Sequence, residues 1–256
     1  MSPPGAGMSA PLLRLEGVHT HIGAYHILHG VDLEVPEGQV TMLLGRNGAG
    51  KTTTLRTIMG LWAASAGSVS FDGRPIGGKP GQLTTPEIAQ LGIAYVPESM
   101  GIFSDLTVRE NLLLAARDAR TVDDIDTRRL EWLFAMFPAL RKFWLYPAGK
   151  LSGGQKQMLA IARAMVEPRR LLLIDEPSKG LAPSIVNNLV AVLRELKSTQ
   201  TTVLLVEQNF GMARALGDTV AVMDNGRVEH RGAMAELAED EALQHRLLGL
   251  SLGAHQ

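Results

Sequence analysis

An eight-residue glycine-rich segment limits the possible folds of this chain more than anything else in it. The segment Gly45-Arg46-Asn47-Gly48-Ala49-Gly50-Lys51-Thr52 fits the phosphate-loop pattern G-x-x-x-x-G-K-[ST]. The apolar run from Gln39 to Leu44 predicts a buried strand before it, and the spacing from Lys51 to Leu61 predicts a helix after it. A strand–loop–helix unit of this kind favours an α/β fold with a parallel sheet.

This loop predicts nucleotide binding. Glycines let backbone N–H groups curl around phosphate oxygens, and the following helix points its positive end at them. We expect Lys51 to reach the β- and γ-phosphates of ATP and the Thr52 hydroxyl to bind Mg²⁺. A chance glycine-rich turn is the alternative, which the flanking strand and helix oppose. The predicted nucleotide-binding residues are Gly45, Arg46, Asn47, Gly48, Ala49, Gly50, Lys51, Thr52 and Thr53.

Two adjacent carboxylates end a second apolar run, Leu171 to Ile174. Asp175, at the tip of a predicted central strand, is the expected Mg²⁺ partner in a phosphate-loop ATPase. Glu176 can polarise the attacking water and is therefore a candidate catalytic base. A solvated strand end is the alternative, because acidic residues are common there. The phosphate loop upstream favours the catalytic interpretation.

A third segment, Leu151-Ser152-Gly153-Gly154-Gln155, lies upstream of the carboxylates and opens a predicted helix. The Ser152 side chain can cap that helix, and its free backbone N–H groups suit a second anion. A plain helix cap with flexible glycines is the alternative. The sequence L-S-G-G-Q at this position indicates a nucleotide-binding signature formed by Ser152, Gly153, Gly154 and Gln155.

Composition excludes several classes of function. A net charge of −1 in 256 residues argues against a dedicated nucleic-acid binder, and the lack of cysteine excludes disulfides and thiolate sites. No apolar run is long enough to predict a transmembrane helix. Residues 1–11 predict a disordered tail rather than a signal peptide, and residues 251–256 a C-terminal tail. The predicted location is the cytoplasm.

The rest of the chain predicts an α/β fold with additions. Strands are expected from Leu12 to Val35, including the alternating Val31, Leu33 and Val35. Thr107 and Glu110 have the spacing of a capping box. Asn225-Gly226 predicts a hairpin, followed by one helix from about Ala233 to Leu248. The arginine pairs at 128–129 and 169–170 are expected to be solvated.

Over nearly its full length, residues 12–250, the chain resembles the ATP-binding subunits of ATP-binding cassette (ABC) transporters. It looks more narrowly like the second ATPase subunit of branched-chain amino acid importers. The resemblance rests on the phosphate loop, the signature, and the segments Gly92–Glu98, Leu106–Leu112, Gln157–Ala164, Gly180–Pro183 and Leu205–Asn209.

The resemblance implies an α/β phosphate-loop core with a parallel sheet, an N-terminal antiparallel β-subdomain, and a helical insert at about residues 98–160. It implies a head-to-tail dimer with a second ABC ATPase, identical or different, in which the signature acts in trans on the partner's ATP. It also implies that transmembrane permease subunits hold the chain at the cytoplasmic face of the membrane. A substrate-binding protein is implied as an indirect partner of the chain.

Three positions depart from the common ABC pattern. Glu98 replaces the usual Q-loop glutamine and is expected to face Mg²⁺ together with Thr52 and Asp175. Gln208 replaces the usual switch histidine, so it can hold the γ-phosphate by hydrogen bonds but cannot titrate near neutral pH. Ala182 replaces the usual D-loop aspartate. Because Lys51 and Glu176 are intact, we predict an active site in which Glu176 and Gln208 are catalytic.

Adenine stacking is assigned by the resemblance to an aromatic residue before Leu28. The aligned position is Ile22, and Tyr25 is the nearby candidate, although packing of Tyr25 on the sheet is an equal alternative. Alternative functions are a soluble ABC ATPase linked to regulation or nucleic acid, and an importer of urea or small amides. A single set of motifs and the absence of sustained heptads disfavour the soluble class.

Overall fold

The computed structural model describes residues 10–78, 82–117 and 119–249 of the chain. The predicted tail at residues 251–256, and all but Ala10 and Pro11 of the predicted tail at residues 1–11, lie outside the described residues. Within the described ranges, no helix is both long enough and apolar enough to cross a membrane.

Ten strands and ten α-helices occur in the described part of the chain. The strands are β1 (Leu13–Ile22), β2 (Tyr25–Val35), β3 (Val40–Gly45), β4 (Ala64–Phe71), β5 (Arg74–Gly78), β6 (Ile93–Val96), β7 (Leu171–Asp175), β8 (Thr202–Glu207), β9 (Thr219–Asp224) and β10 (Arg227–Ala233). The helices are α1 (Lys51–Ile58), α2 (Thr85–Gln90), α3 (Val108–Leu113), α4 (Thr127–Met136), α5 (Pro138–Lys142), α6 (Gly153–Ala164), α7 (Pro183–Ser198), α8 (Phe210–Leu216), α9 (Met234–Glu239) and α10 (Glu241–Leu248). Short 3₁₀ helices occupy Val122–Asp124 and Ala148–Lys150.

The strands form two sheets. One is a four-stranded antiparallel sheet in the order β2-β1-β4-β5. The other has six strands in the order β10-β9-β3-β8-β7-β6, parallel except for the edge pair β9–β10. Parallel strands β3, β7 and β8 all end at the same edge of this sheet, which therefore gathers the phosphate loop, the two carboxylates and the switch glutamine.

Both faces of the six-stranded sheet are buried, which explains the continuous apolar runs seen in the sequence. Alternate residues of one strand enter different cores. Leu171 and Leu173 pack with the antiparallel sheet, whereas Leu172 and Ile174 pack with the helices. All four are fully buried. A large core on each face fixes the sheet, and with it the edge that carries the polar side chains.

Helices α3 to α6 lie between β6 and β7, the interval of the predicted helical insert. Thr107 starts α3 with the predicted capping box. The Glu110 N–H donates to the Thr107 hydroxyl at 3.2 Å, and the Thr107 N–H donates to the Glu110 carboxylate at 2.8 Å. The predicted hairpin is also present, with φ of 45° at Asn225 and 74° at Gly226.

Two predictions outside the site are wrong. The single C-terminal helix is interrupted at Asp240, whose carboxylate instead accepts from the Leu243 N–H at 2.8 Å and starts α10. Arg129 and Arg169 are not solvated. The Arg129 guanidinium donates to the Met165 carbonyl at 2.8 Å, and Arg169, with 12% of its side chain exposed, pairs with Glu167 at 2.9 Å.

Candidate functional site

The phosphate loop joins β3 to α1, as predicted, and its glycines have backbone conformations that side chains disfavour. Gly45, Gly48 and Gly50 have φ of 149°, 80° and 102°. At Gly45 a Cβ atom would also collide with the Met223 carbonyl oxygen on β9. Only glycine therefore lets the loop turn this closely over the sheet edge.

Lys51 is buried at the start of α1, and its ammonium is held within the loop. Its Nζ donates to the Gly45 carbonyl at 2.8 Å and to the Arg46 carbonyl at 3.0 Å. It also lies 3.4 Å from Oε1 of Glu176. These contacts satisfy the buried charge and place it where phosphate oxygens would compete for it.

Asp175 lies beside Thr52 at the end of β7 and is almost fully buried. Thr52 Oγ1 donates to Asp175 Oδ1 at 3.1 Å, and the Tyr95 hydroxyl donates to Oδ2 at 3.3 Å. Burial raises the pKa of Asp175, as do the neighbouring charges of Glu176 and Glu98, while the two hydrogen bonds oppose this rise. A cation at this position would stabilise the ionised carboxylate.

Glu176 and Gln208 are in direct contact, although the chain separates them widely. Gln208 Nε2 donates to Glu176 Oε1 at 2.7 Å and to Asn47 Oδ1 of the phosphate loop at 2.7 Å. Glu176 is a non-glycine residue with φ of 45°, and its N–H donates to the Val206 carbonyl at 2.9 Å. The strained backbone is characteristic of a functional position that its surroundings hold in place.

Glu98 is half exposed and forms an ion pair with Lys179, to which the sequence alone assigned no role. Lys179 Nζ is 2.6 Å from Glu98 Oε1 and 3.6 Å from Glu176 Oε2. The Glu98 carboxylate raises the pKa of Lys179, first through this hydrogen bond and then through its charge. Lys179 thus offsets the extra negative charge that Glu98 brings to a phosphate site.

The signature starts α6, as predicted. The Gln155 N–H donates to Ser152 Oγ at 3.3 Å, and the Ser152 N–H donates to Gln155 Oε1 at 2.9 Å. Gly154 packs against the start of α7, where a Cβ atom would lie 2.5 Å from Ile185 Cγ2. Within the described ranges, none of the side-chain hydrogen bonds of Ser152 and Gln155 reaches the phosphate loop. Within this chain the two side chains therefore cap the start of α6.

Tyr25 lies at the tip of the β1–β2 hairpin, directly opposite Ile22. Its side chain is 75% exposed, which does not fit the alternative that its ring packs on the sheet. The same hairpin is connected to the phosphate loop through Gly226. The His29 N–H donates to the Gly226 carbonyl at 2.9 Å, and the Gly226 N–H donates to the Ala49 carbonyl at 3.0 Å. An exposed ring at the hairpin tip leaves its face open for stacking.

Three further residues belong to the site but received no role from the sequence. Tyr95 contacts Asp175, and burial and the nearby carboxylate raise its pKa to about 12. Lys179 contacts Glu98, and the buried Glu207 accepts hydrogen bonds beside Gln208. Tyr95 and Glu207 occur in the segments that carry the family resemblance, but spacing along the chain does not show which groups they meet.

A comparison with protein-family models matches residues 28–179 to the ABC transporter family. The high-affinity branched-chain amino acid transport ATP-binding protein BraG of Pseudomonas aeruginosa is 37% identical over 238 residues, covering 93% of this chain and 100% of BraG. The probable branched-chain amino acid transport ATP-binding protein LivF of Archaeoglobus fulgidus is 36% identical, covering 93% and 99%.

Solved structures agree with this result. The dimeric, post-hydrolysis structure of the ATP-binding cassette MJ0796 bound to ADP and phosphate matches with a TM-score of 0.74 and 25% identity, covering 87% of this chain and 98% of that one. The comparisons confirm the predicted fold class and the resemblance to branched-chain transport ATPases. The chain therefore belongs to the ABC transporter family as an ATP-binding cassette, an enzyme that hydrolyses ATP to power transport.

Proposed function

We propose that this chain is the energy-coupling ATPase of an importer for branched-chain or closely related amino acids. The observation that carries this proposal is the end-to-end similarity to BraG, which leaves no part of that relative unmatched. A match limited to the phosphate loop would support only nucleotide binding. A match that also spans the helical interval and the C-terminal helices supports the same kind of coupling role.

The contacts in the site support specific roles in hydrolysis. Lys51 exchanges its carbonyl contacts with Gly45 and Arg46 for phosphate oxygens of ATP, which are stronger acceptors because they are charged. Glu176 accepts the proton of the attacking water. Gln208, held against Glu176, orients that carboxylate, and the N–H that meets Asn47 in the absence of nucleotide would turn to the γ-phosphate.

The oxygen atoms around Asp175 fit a magnesium ion. Mg²⁺ prefers a small number of carboxylate and hydroxyl oxygens together with substrate phosphates. Thr52 and Asp175 are already in contact, and Glu98 lies close enough to influence the pKa of Asp175. We propose that these three residues hold Mg²⁺, which would neutralise charge that develops on the phosphates.

We also propose that two ABC ATPases, identical or different, form the active unit at the cytoplasmic face of the membrane, bound to permease subunits. The dimeric MJ0796 cassette supports the pairing. Each signature would then contact the ATP held by the partner's phosphate loop. Tyr25 would stack on the adenine of its own chain's nucleotide, and a substrate-binding protein would act through the permease.

Transport assays in cells test the substrate class. Uptake of radiolabelled leucine, isoleucine and valine is measured in cells that lack the chain, and again after wild type or Glu176→Gln is restored. We expect wild type, but not Glu176→Gln, to restore uptake. Amino acid uptake that does not depend on the chain, with urea or amide uptake that does, would contradict the proposed substrate.

Purification of the tagged chain from membranes tests the partners. We expect transmembrane permease subunits to copurify, together with a second ABC ATPase or a second copy of this chain. Recovery of the chain without any membrane subunit would contradict the coupling role but would leave the ATPase assignment intact.

A further inference from the structure

We propose that Glu207 is a positioning residue that holds the Glu176 loop and the Gln208 loop in register for ATP hydrolysis. Glu207 is the last residue of β8, immediately before Gln208, and is 2% exposed. The inference depends on the proposed roles of Glu176 and Gln208. It adds a third side chain, which sets the geometry of that pair through hydrogen bonds to the protein backbone and to Ser178.

The carboxylate of Glu207 accepts four hydrogen bonds from two loops. Oε1 accepts from the Ser178 N–H at 2.9 Å. Oε2 accepts from the Ser178 hydroxyl at 2.8 Å, from the Gln208 N–H at 3.1 Å and from the Asn209 N–H at 3.2 Å. One side chain therefore joins the segment that follows Glu176 to the segment that contains Gln208.

These bonds complete a closed ring of contacts. Ser178 lies two residues after Glu176, and Gln208 Nε2 returns to Glu176 Oε1 at 2.7 Å. If the Glu207 carboxylate is lost, Ser178 and Gln208 are no longer held to a common atom. The short contact between Gln208 and Glu176 then depends on two loops that are free to shift independently.

A carboxylate suits this position better than its neutral isostere. An ionised carboxylate only accepts hydrogen bonds and has enough lone pairs for all four donors, whereas a glutamine amide must place an N–H₂ group against at least one N–H. Burial raises the pKa of Glu207, and the hydrogen bonds from Ser178, Asn209 and Gln208 counteract that rise. A buried charge held only to fill space would be costly, so a geometric role accounts for it better.

The test compares Glu207→Gln with Glu229→Gln, an exposed glutamate on β10 that serves as the matched control. The readouts are the kcat and KM of MgATP hydrolysis by the full chain, the thermal midpoint, and the exchange of backbone amide hydrogens. We expect Glu207→Gln to lower kcat by about tenfold or more, as for loss of one hydrogen bond to a charged group, with a KM change below about threefold. Glu229→Gln should match wild type.

A double variant separates positioning from a general structural role. If Glu207 acts through Gln208, then Glu207→Gln in a Gln208→Ala background should cause almost no further loss of kcat. A multiplicative loss in the double variant, or an unchanged kcat in Glu207→Gln, would overturn the proposal. If Glu207→Gln fails to fold, Ser178→Ala, which removes only the hydroxyl contact, should lower kcat in the same direction, and wild-type kcat there would also overturn it.

Amide exchange tests the proposal independently of catalysis. Glu207→Gln should accelerate exchange at Ser178, Gln208 and Asn209 and leave the phosphate-loop amides unchanged. Unchanged exchange at those three amides would overturn the proposal. By contrast, wild-type activity in Glu176→Gln would overturn the proposed base while leaving the exchange result valid, so the two failures can be distinguished.

Discussion

Gln208 allows a direct test of how the switch region acts, because the structure shows both acceptors of its amide N–H groups. Its Nε2 donates to Glu176 Oε1 and Asn47 Oδ1, each at 2.7 Å. Gln208→Ala removes a hydrogen bond to a charged acceptor, which is typically worth about 1.5–3 kcal/mol. If that contact persists in the transition state, kcat should fall roughly 10- to 150-fold, at 1.36 kcal/mol per factor of ten.

The assay is phosphate release from MgATP between pH 5 and 8, with Gln90→Ala on the exposed end of α2 as the matched control. We expect Gln90→Ala to retain wild-type kcat. Gln208→His should retain substantial activity and gain a pH dependence at about pH 6 to 7, where an imidazole titrates. Wild-type turnover in Gln208→Ala would show that the contact with Glu176 does not contribute to catalysis.

Three other variants test separate parts of the site. Lys51→Ala should weaken ATP binding, measured with a fluorescent nucleotide, by about tenfold or more because a charged phosphate contact is lost; wild-type affinity would contradict its role. Tyr95→Phe removes a hydrogen bond that lowers the pKa of Asp175, so the pKa of Asp175 should rise. The acidic limb of the pH–activity profile should then move to higher pH, and more Mg²⁺ should be required. An unchanged profile would contradict this role of Tyr95. Gly154→Ala should lower the free energy of unfolding by about 1–3 kcal/mol through overpacking, which lowers the thermal midpoint by roughly 2–12 °C. Ile185→Ala in the same chain should reverse the loss. An unaffected midpoint would argue against the close approach of α6 to α7.

Features that depend on neighbouring residues in the chain were predicted well. The phosphate loop, the capping box at Thr107 and the Asn225-Gly226 hairpin each follow from a few adjacent residues and their backbone preferences. The two-sided sheet was also predictable, because continuous apolar runs such as Leu171–Ile174 require burial on both faces.

Features that depend on distant contacts were not predicted. Arg129 is expected in solvent as one of a pair of arginines, but its guanidinium donates to the carbonyls of Met165 and Glu167, which follow α6. The C-terminal helix has helical spacing throughout, yet Asp240 caps a new helix there. The roles of Lys179 and Glu207 follow from contacts with residues distant in the chain: Lys179 contacts Glu98, and Glu207 contacts Ser178.

Whether Glu176 is the catalytic base is tested most directly by measuring ATP turnover and nucleotide affinity for wild type and Glu176→Gln. Glu176 is the carboxylate that Lys51 and Gln208 both contact, so we propose it as the base that activates water. We predict that Glu176→Gln binds ATP within about threefold of wild type but releases phosphate at least about a hundredfold more slowly. Phosphate release at the wild-type rate by Glu176→Gln would contradict this role.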